Sequence, residues 1–224
     1  MSNNNMSNNN MSNNNTTPII LLHGLGGFIS SKFTSLSLYP LKTYLEYNNY
    51  NNVHLIEYPS DQNSIEESLD YVDSEMCKVV NKKSEKIIII GQSMGGVIAF
   101  NMHTKGWNIK LTLSIGSPLH GAKLIDQIEC KLKDNLPGIV FEFLHNKIKC
   151  PGHIALQNKE KQDEPPHEYR TISLGWFGYE FDGCVYKDEA IINPEKNLHL
   201  AWADHRTIFL NPRLWYHVHN LISD

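Results

Sequence analysis

The chain has 224 residues, 41% hydrophobic and 20% charged, with a formal net charge of -4 at pH 7. That suffices for one domain with a full core and falls short of two ordinary ones. A weakly acidic chain without a basic patch is a poor partner for nucleic acid, and no apolar run reaches the length of a membrane span.

Residues 1–15 repeat the unit Met-Ser-Asn-Asn-Asn in tandem. Such a tract has almost nothing apolar to bury, so a disordered tail is expected, with a folded domain over 16–224. The N-terminus carries neither the basic nor the apolar region of a secretory signal, so a cytoplasmic protein is expected. Cys77, Cys130, Cys150 and Cys184 show no C-x-x-C spacing, which argues against zinc ligation and redox chemistry. Free thiols are expected, although Cys130 and Cys150 share one excursion of the chain and could pair.

Pro18 to Leu22 reads as a strand running into the turn His23-Gly24-Leu25-Gly26-Gly27. Glycine lets such a turn aim backbone N–H groups outward. A phosphate-binding loop is a poor alternative, because neither G-K-[ST] nor G-x-G-x-x-G with an acidic partner follows. Pro40 suits the first turn of a short helix with Leu41, Tyr44 and Leu45 on one face. Val53 to Tyr58 is the next strand. Ser64-Ile65-Glu66-Glu67 has capping-box spacing, and Ile65, Leu69, Val72, Met76 and Val79 make the stripe of the helix that follows.

The centre of the sequence is Ile87-Ile88-Ile89-Ile90-Gly91-Gln92-Ser93-Met94-Gly95-Gly96. The isoleucine run is short, continuous and β-branched, as in a parallel strand covered on both faces. Gly91-Gln92-Ser93-Met94-Gly95 fits the nucleophile-elbow pattern G-x-S-x-G. The chain reverses so sharply there that the positions two before and two after the serine must lack side chains. Strain at Ser93 then pushes its hydroxyl outward, beside the N–H groups of the next helix.

Ile109 to Ile115 is a further strand, entering Gly116-Ser117-Pro118-Leu119-His120-Gly121. From Ala122 the pattern changes. Leu124, Ile125, Ile128 and Leu132 make one helical stripe, and Ile139, Val140, Phe143 and Leu144 another. The segment 122–168 is therefore either a helical lid or a long crossover packed on the sheet. Arg170 to Leu174 and Leu198 to Ala203 are the remaining strands, followed by Asp182-Gly183-Cys184-Val185 and Asp204-His205-Arg206 respectively. Asn211-Pro212 opens a last helix whose Leu214, Val218, Leu221 and Ile222 can dock on the sheet.

Strands alternating with helices or long crossovers predict an α/β fold, a mostly parallel six-stranded sheet with helices on both faces. In such sheets functional groups gather at the carboxyl ends of strands. Ser93, Asp182, His205 and the His23 turn all fall there, and their order is Ser, Asp, His. The chain resembles the α/β-hydrolase superfamily over nearly all of 16–224, and within it the small lipases and lipase-like serine esterases. The resemblance rests on the elbow, on the His-Gly turn, which resembles a lipase oxyanion turn, and on the S-P-x-H-G turn, which resembles the one after the fifth strand of lipases. The first two strands of the full fold are missing, which leaves a minimal α/β-hydrolase core.

The resemblance implies Ser93 as nucleophile, His205 as base and Asp182 as the acid that orients it, with the backbone N–H groups of Leu25 and Met94 as oxyanion donors. His120, His153, His167 and His199 are rival bases, His120 foremost. Glu180, Asp188 and Asp126 are rival acids. Asp204 is too close to its neighbour His205 to orient it and reads as a turn residue; His23 reads as a turn-stabilising residue. The implied activity is hydrolysis of carboxylic esters, with a small-molecule or lipid ester as partner and transient contact with a membrane surface. An acyltransferase, thioesterase or amidase would use the same triad, and a non-catalytic hydrolase-fold binding protein is the alternative from another class. No cofactor and no metal are implied, since no H-x-x-x-H pair or Cys/His cluster has ligand spacing.

Overall fold

The computed structural model describes residues 16–26, 35–83, 85–123, 151–157, 162–176 and 179–223, with only the backbone at 153 and 157. Among these, six strands form one sheet: β1 (Ile19–Leu22), β2 (Val53–Ile56), β3 (Ile87–Gln92), β4 (Ile109–Ile115), β5 (Tyr169–Gly175) and β6 (Asn197–Ala201). Their order is β2-β1-β3-β4-β5-β6, and every pairing is parallel. All carboxyl ends therefore lie at one edge of the sheet.

The isoleucine run shows why the sheet is covered on both sides. Successive side chains of a strand point to opposite faces. Ile87 and Ile89 enter one core with Ile20 and Leu22, while Ile88 and Ile90 enter a second with Ile19 and Leu21. The first core is closed by α2 (Ile65–Val79) and α3 (Met94–Asn101), the second by α1 (Tyr39–Tyr47) and α5 (Pro212–Ser223). Each fully buried Ile or Leu contributes about 1.5–3 kcal/mol of transfer free energy.

The local signals act as expected. Ser64 caps α2: its Oγ accepts from the Glu67 N–H, and Glu67 Oε2 accepts from the Ser64 N–H at 2.8 Å. Pro40 stands in the first turn of α1, and Gly106, at φ 80°, closes the 3-10 turn Met102–Lys105 that follows α3.

Some boundaries differ from the sequence reading. Val79 is exposed and Val80, just past the helix, fills the core instead, because the chain leaves α2 at Val80 in an extended conformation. Tyr58 is two residues beyond β2 and stacks on His23. β6 runs from Asn197 to Ala201, shorter than Leu198 to Ala203 at its far end, where Trp202 turns the chain at φ 63°.

The tail 1–15 and most of the candidate lid 122–168, with Cys130 and Cys150, lie outside the described residues. Within that lid segment the structure describes a short helix, α4 (Pro151–Gln157), which buries Leu156 in the first core. Cys77 and Cys184 are free thiols. Among the described residues no helix is long and apolar enough to cross a membrane.

Candidate active site

Ser93 sits between the end of β3 and the first residue of α3 with φ 53° and ψ -124°. A side-chain-bearing residue at positive φ is held there by its surroundings, at a cost of about 1–3 kcal/mol. Here those surroundings are the flanking glycines. A Cβ on Gly91 would overlap the backbone of Gly95, and one on Gly95 would overlap the carbonyls of Leu22 and His23. Gly96 is as confined, against Ser114 and Ser117. The elbow thus fits only because all three positions are bare. The Ser93 N–H donates to the Ile115 carbonyl at 3.0 Å, which fixes the serine to the end of β4.

The turn after β1 closes on the same point. A Cβ on Gly24 would stand 2.9 Å from Ser93 Cβ and 2.7 Å from Gln92 Oε1. His23 is fully buried. Its Nδ1–H donates to the Gly24 carbonyl at 2.7 Å, and Nε2 accepts the Tyr58 N–H at 3.2 Å. The Tyr58 hydroxyl in turn donates to the His23 carbonyl at 2.7 Å. Burial lowers the imidazole's pKa, and both ring nitrogens are engaged. His23 is therefore a neutral bracket for the turn, as the sequence suggested. The Gly26 N–H donates to Ser60 Oγ at 2.9 Å, and Gly152 of α4 packs against both the Ser60 carbonyl and the Leu25 side chain.

Asp182 and His205 are brought together. His205 Nδ1 lies 2.7 Å from Asp182 Oδ2, and the His205 N–H donates to the Asp182 carbonyl at 2.9 Å. A carboxylate only accepts, so Nδ1 carries the proton and Nε2 keeps its lone pair. Asp182 Oδ1 accepts the N–H groups of Cys184 at 2.9 Å and Val185 at 2.7 Å, which fixes the carboxylate's plane. Both side chains are buried, Asp182 almost completely. The pair meets the end of β4 and the last residue of β3. A Cβ on Gly116, directly after β4, would lie 3.1 Å from Asp182 Oδ2 and 3.4 Å from His205 Nδ1, and Gln92 Nε2 donates to the His205 carbonyl at 3.0 Å. Cys184, the nearer of the two described thiols, has its pKa pushed up to about 11 by burial and by the Asp182 charge, so it is a poor rival nucleophile.

The rivals are occupied elsewhere. His120 Nε2 binds the Ile191 carbonyl, His199 Nδ1 meets Ser173 Oγ and His167 Nε2 meets Thr112 Oγ1. Glu180 pairs with Lys187 and Asp188 with Lys123. Asp204 accepts from the N–H groups of Arg206 and Thr207, as a turn residue does. Asp126 and the His153 side chain lie outside the described residues. No group of His, Cys, Asp and Glu that could hold a metal ion occurs among the described residues. Nothing in the sequence singles out Gln92, whose only distinction is to occupy a variable position of the elbow.

A family model described as a PGAP1-like alpha/beta domain matches residues 50–150. Among solved structures, the lipase BlEst2 of Bacillus licheniformis in its mature form superposes with a TM-score of 0.71 at 19% identity, covering 92% of each chain. The chain has the α/β-hydrolase fold. Other structures with this α/β-hydrolase architecture agree. A lipase-esterase related protein from Clostridium acetobutylicum has a TM-score of 0.58 at 17% identity, covering 93% of this chain and 96% of that one. The type II thioesterase BorB of the borrelidin biosynthetic cluster has 0.59 at 14%, covering 93% and 92%. No curated protein matches the sequence significantly.

Proposed function

We propose that the protein is a serine hydrolase of carboxylic esters working through an acyl-enzyme on Ser93. The observation that carries this reading is the Asp182–His205 pair, bonded at 2.7 Å, packed at Gly116 and tied through Gln92 to the strand that ends at Ser93, a serine held at positive φ. His205 Nε2 takes the Ser93 hydroxyl proton as Oγ attacks the ester carbonyl carbon. The tetrahedral intermediate collapses, the C–O bond to the alcohol breaks, and His205 returns the proton to the leaving oxygen. Water then repeats the sequence on the acyl-enzyme, releasing the acid. Asp182 keeps the proton on Nδ1 and stabilises the imidazolium. The N–H groups of Leu25 and Met94 are the proposed oxyanion donors; losing one such donor typically costs roughly 3 kcal/mol of barrier stabilisation.

Several features favour an apolar acyl ester. Trp176, Tyr179 and Trp202 are exposed where β5 and β6 end, so aromatic surface borders the edge that carries the site. Amphipathic rings of this kind suit an ester presented at a lipid surface. Thioester substrates are the second reading, favoured by the likeness to a thioesterase, since the acyl-enzyme step is shared. A non-catalytic binding role is disfavoured because all three positions of the triad are filled.

The test is hydrolysis of short- and long-chain p-nitrophenyl esters and an acyl thioester by wild type and Ser93→Ala, with fluorophosphonate labelling. Turnover and labelling that vanish in Ser93→Ala support the proposal. A wild type inert to every substrate and unlabelled overturns it.

A further inference from the structure

Gln92 is a buried polar residue at the site with no part in the chemistry just described. We infer that Gln92 is a positioning residue that ties the loop bearing the base to the strand bearing the nucleophile, an inference that rests on the roles proposed for Ser93 and His205.

The topology creates the need. His205 follows β6, the edge strand, and Ser93 follows β3; β4 and β5 lie between them. The base must reach back over the ends of two strands to meet the serine. Its ring and its N–H are both held by Asp182, which belongs to the loop after β5. Those bonds make acid and base one unit and leave the unit's distance from Ser93 unset. The Gln92 amide supplies a direct tie. It is the last residue of β3 and adjoins Ser93, and its Nε2–H donates to the His205 carbonyl at 3.0 Å across 113 positions of sequence. The side chain is 7% exposed, so water does not compete effectively for the bond. Its other end is confined as well, because the turn after β1 packs onto it at Gly24, so closely that a Cβ there would stand only 2.7 Å from Gln92 Oε1. One amide therefore touches the nucleophile's strand, the base's main chain and the turn after β1.

Two substitutions separate this role from simple packing. Gln92→Met keeps the length and removes the donor. Gln92→Glu keeps the shape, and its carboxyl donates to the His205 carbonyl only when protonated; ionised, it faces that oxygen with a charge. The measurements are kcat and KM on p-nitrophenyl butyrate, the rate of fluorophosphonate inactivation from pH 5 to 8, and the downfield proton NMR signal of His205 Nδ1–H. Gln92→Met is expected to lower kcat and the inactivation rate by roughly ten- to a hundred-fold, as for an angstrom-scale misplacement of a reacting group, with little change in KM. The Nδ1–H signal broadens as the base loop loosens. The activity of Gln92→Glu relative to Gln92→Met rises as the pH falls. If Gln92→Met does not fold, Gln92→Glu against wild type over the same range carries the test, and its deficit must shrink with falling pH. An inactivation rate for Gln92→Met within two-fold of wild type, or a pH-independent Gln92→Glu deficit, overturns the inference. A wild type inert to ester and probe overturns instead the roles of Ser93 and His205, and the Nδ1–H signal then still reports whether Gln92 holds the imidazole.

Discussion

Asp182 and His205 are joined twice, once between main chains at 2.9 Å and once between side chains at 2.7 Å. The main-chain bond places the imidazole's Cα, and the side-chain bond sets its tautomer. Replacement of Asp182 by asparagine separates the two. The N–H groups of Cys184 and Val185 claim the amide oxygen, which turns the NH2 group toward His205 Nδ1. Nδ1 then becomes an acceptor and the proton moves to Nε2, the wrong nitrogen for a base. Asp182→Asn is expected to fold with an unchanged circular dichroism spectrum and to lose on the order of 10⁴ in kcat. Steady-state ester hydrolysis measures it.

The backbone at Ser93 predicts an exchange of stability for activity. Glycine at φ 53° relieves strain that serine and alanine both retain. Ser93→Gly is expected to be more stable than Ser93→Ala by about 1 kcal/mol, and both are inactive. Urea unfolding of the two variants decides it. Equal midpoints would mean that the strain relieved is no larger than the extra unfolded-chain entropy of glycine.

Acid should weaken the fold through its histidines. Burial lowers the pKa of His23 below 6.5, and burial together with His103 brings that of His167 down to about 4. As pH falls below 6.5 the unfolded chain takes up these protons first. The stability from keeping the rings neutral is thus complete above pH 6.5 and erodes below it, for His167 until about pH 4. Unfolding free energies measured between pH 7.5 and 4.5 should fall with pH, and His167→Gln should flatten the slope.

The turn after β1, which carries a proposed oxyanion donor, is braced from outside. Ser60 Oγ accepts the Gly26 N–H, and Gly152 packs on Ser60 and Leu25. A methyl at residue 152 would overlap the Ser60 carbonyl. Gly152→Ala is expected to lower kcat more than it raises KM, because it disturbs a donor used only as charge develops. Ser60→Ala leaves a buried N–H unpaired and should destabilise the protein by about 1–3 kcal/mol. Kinetics and thermal unfolding read the two effects separately.

The sheet and the elbow were legible because their signals are local. The isoleucine run specifies a strand buried on both faces, and the glycines flanking Ser93 can be read as steric necessities before any coordinates exist. Asp182 was reachable only through the resemblance, which places the acid in a D-G-x-V segment after the penultimate strand. Val79 misled because a periodic stripe does not show where a helix ends. Gln92 was silent for a different reason. Its partner is a main-chain carbonyl 113 residues away, and nothing in a glutamine's neighbours encodes such a partner. The bracing of Leu25 by Gly152 is equally non-local.

The strand order has a bearing on synthesis. From β3 onward each new strand is added outward, on the side away from β1, and β6 comes last. A chain emerging from the ribosome can pair β1 to β5 and shape the serine turn while the proposed base is still inside the exit tunnel. The proposed nucleophile and acid therefore lack the proposed base until the edge strand is made, so on this reading the site is completed only when the fold is closed.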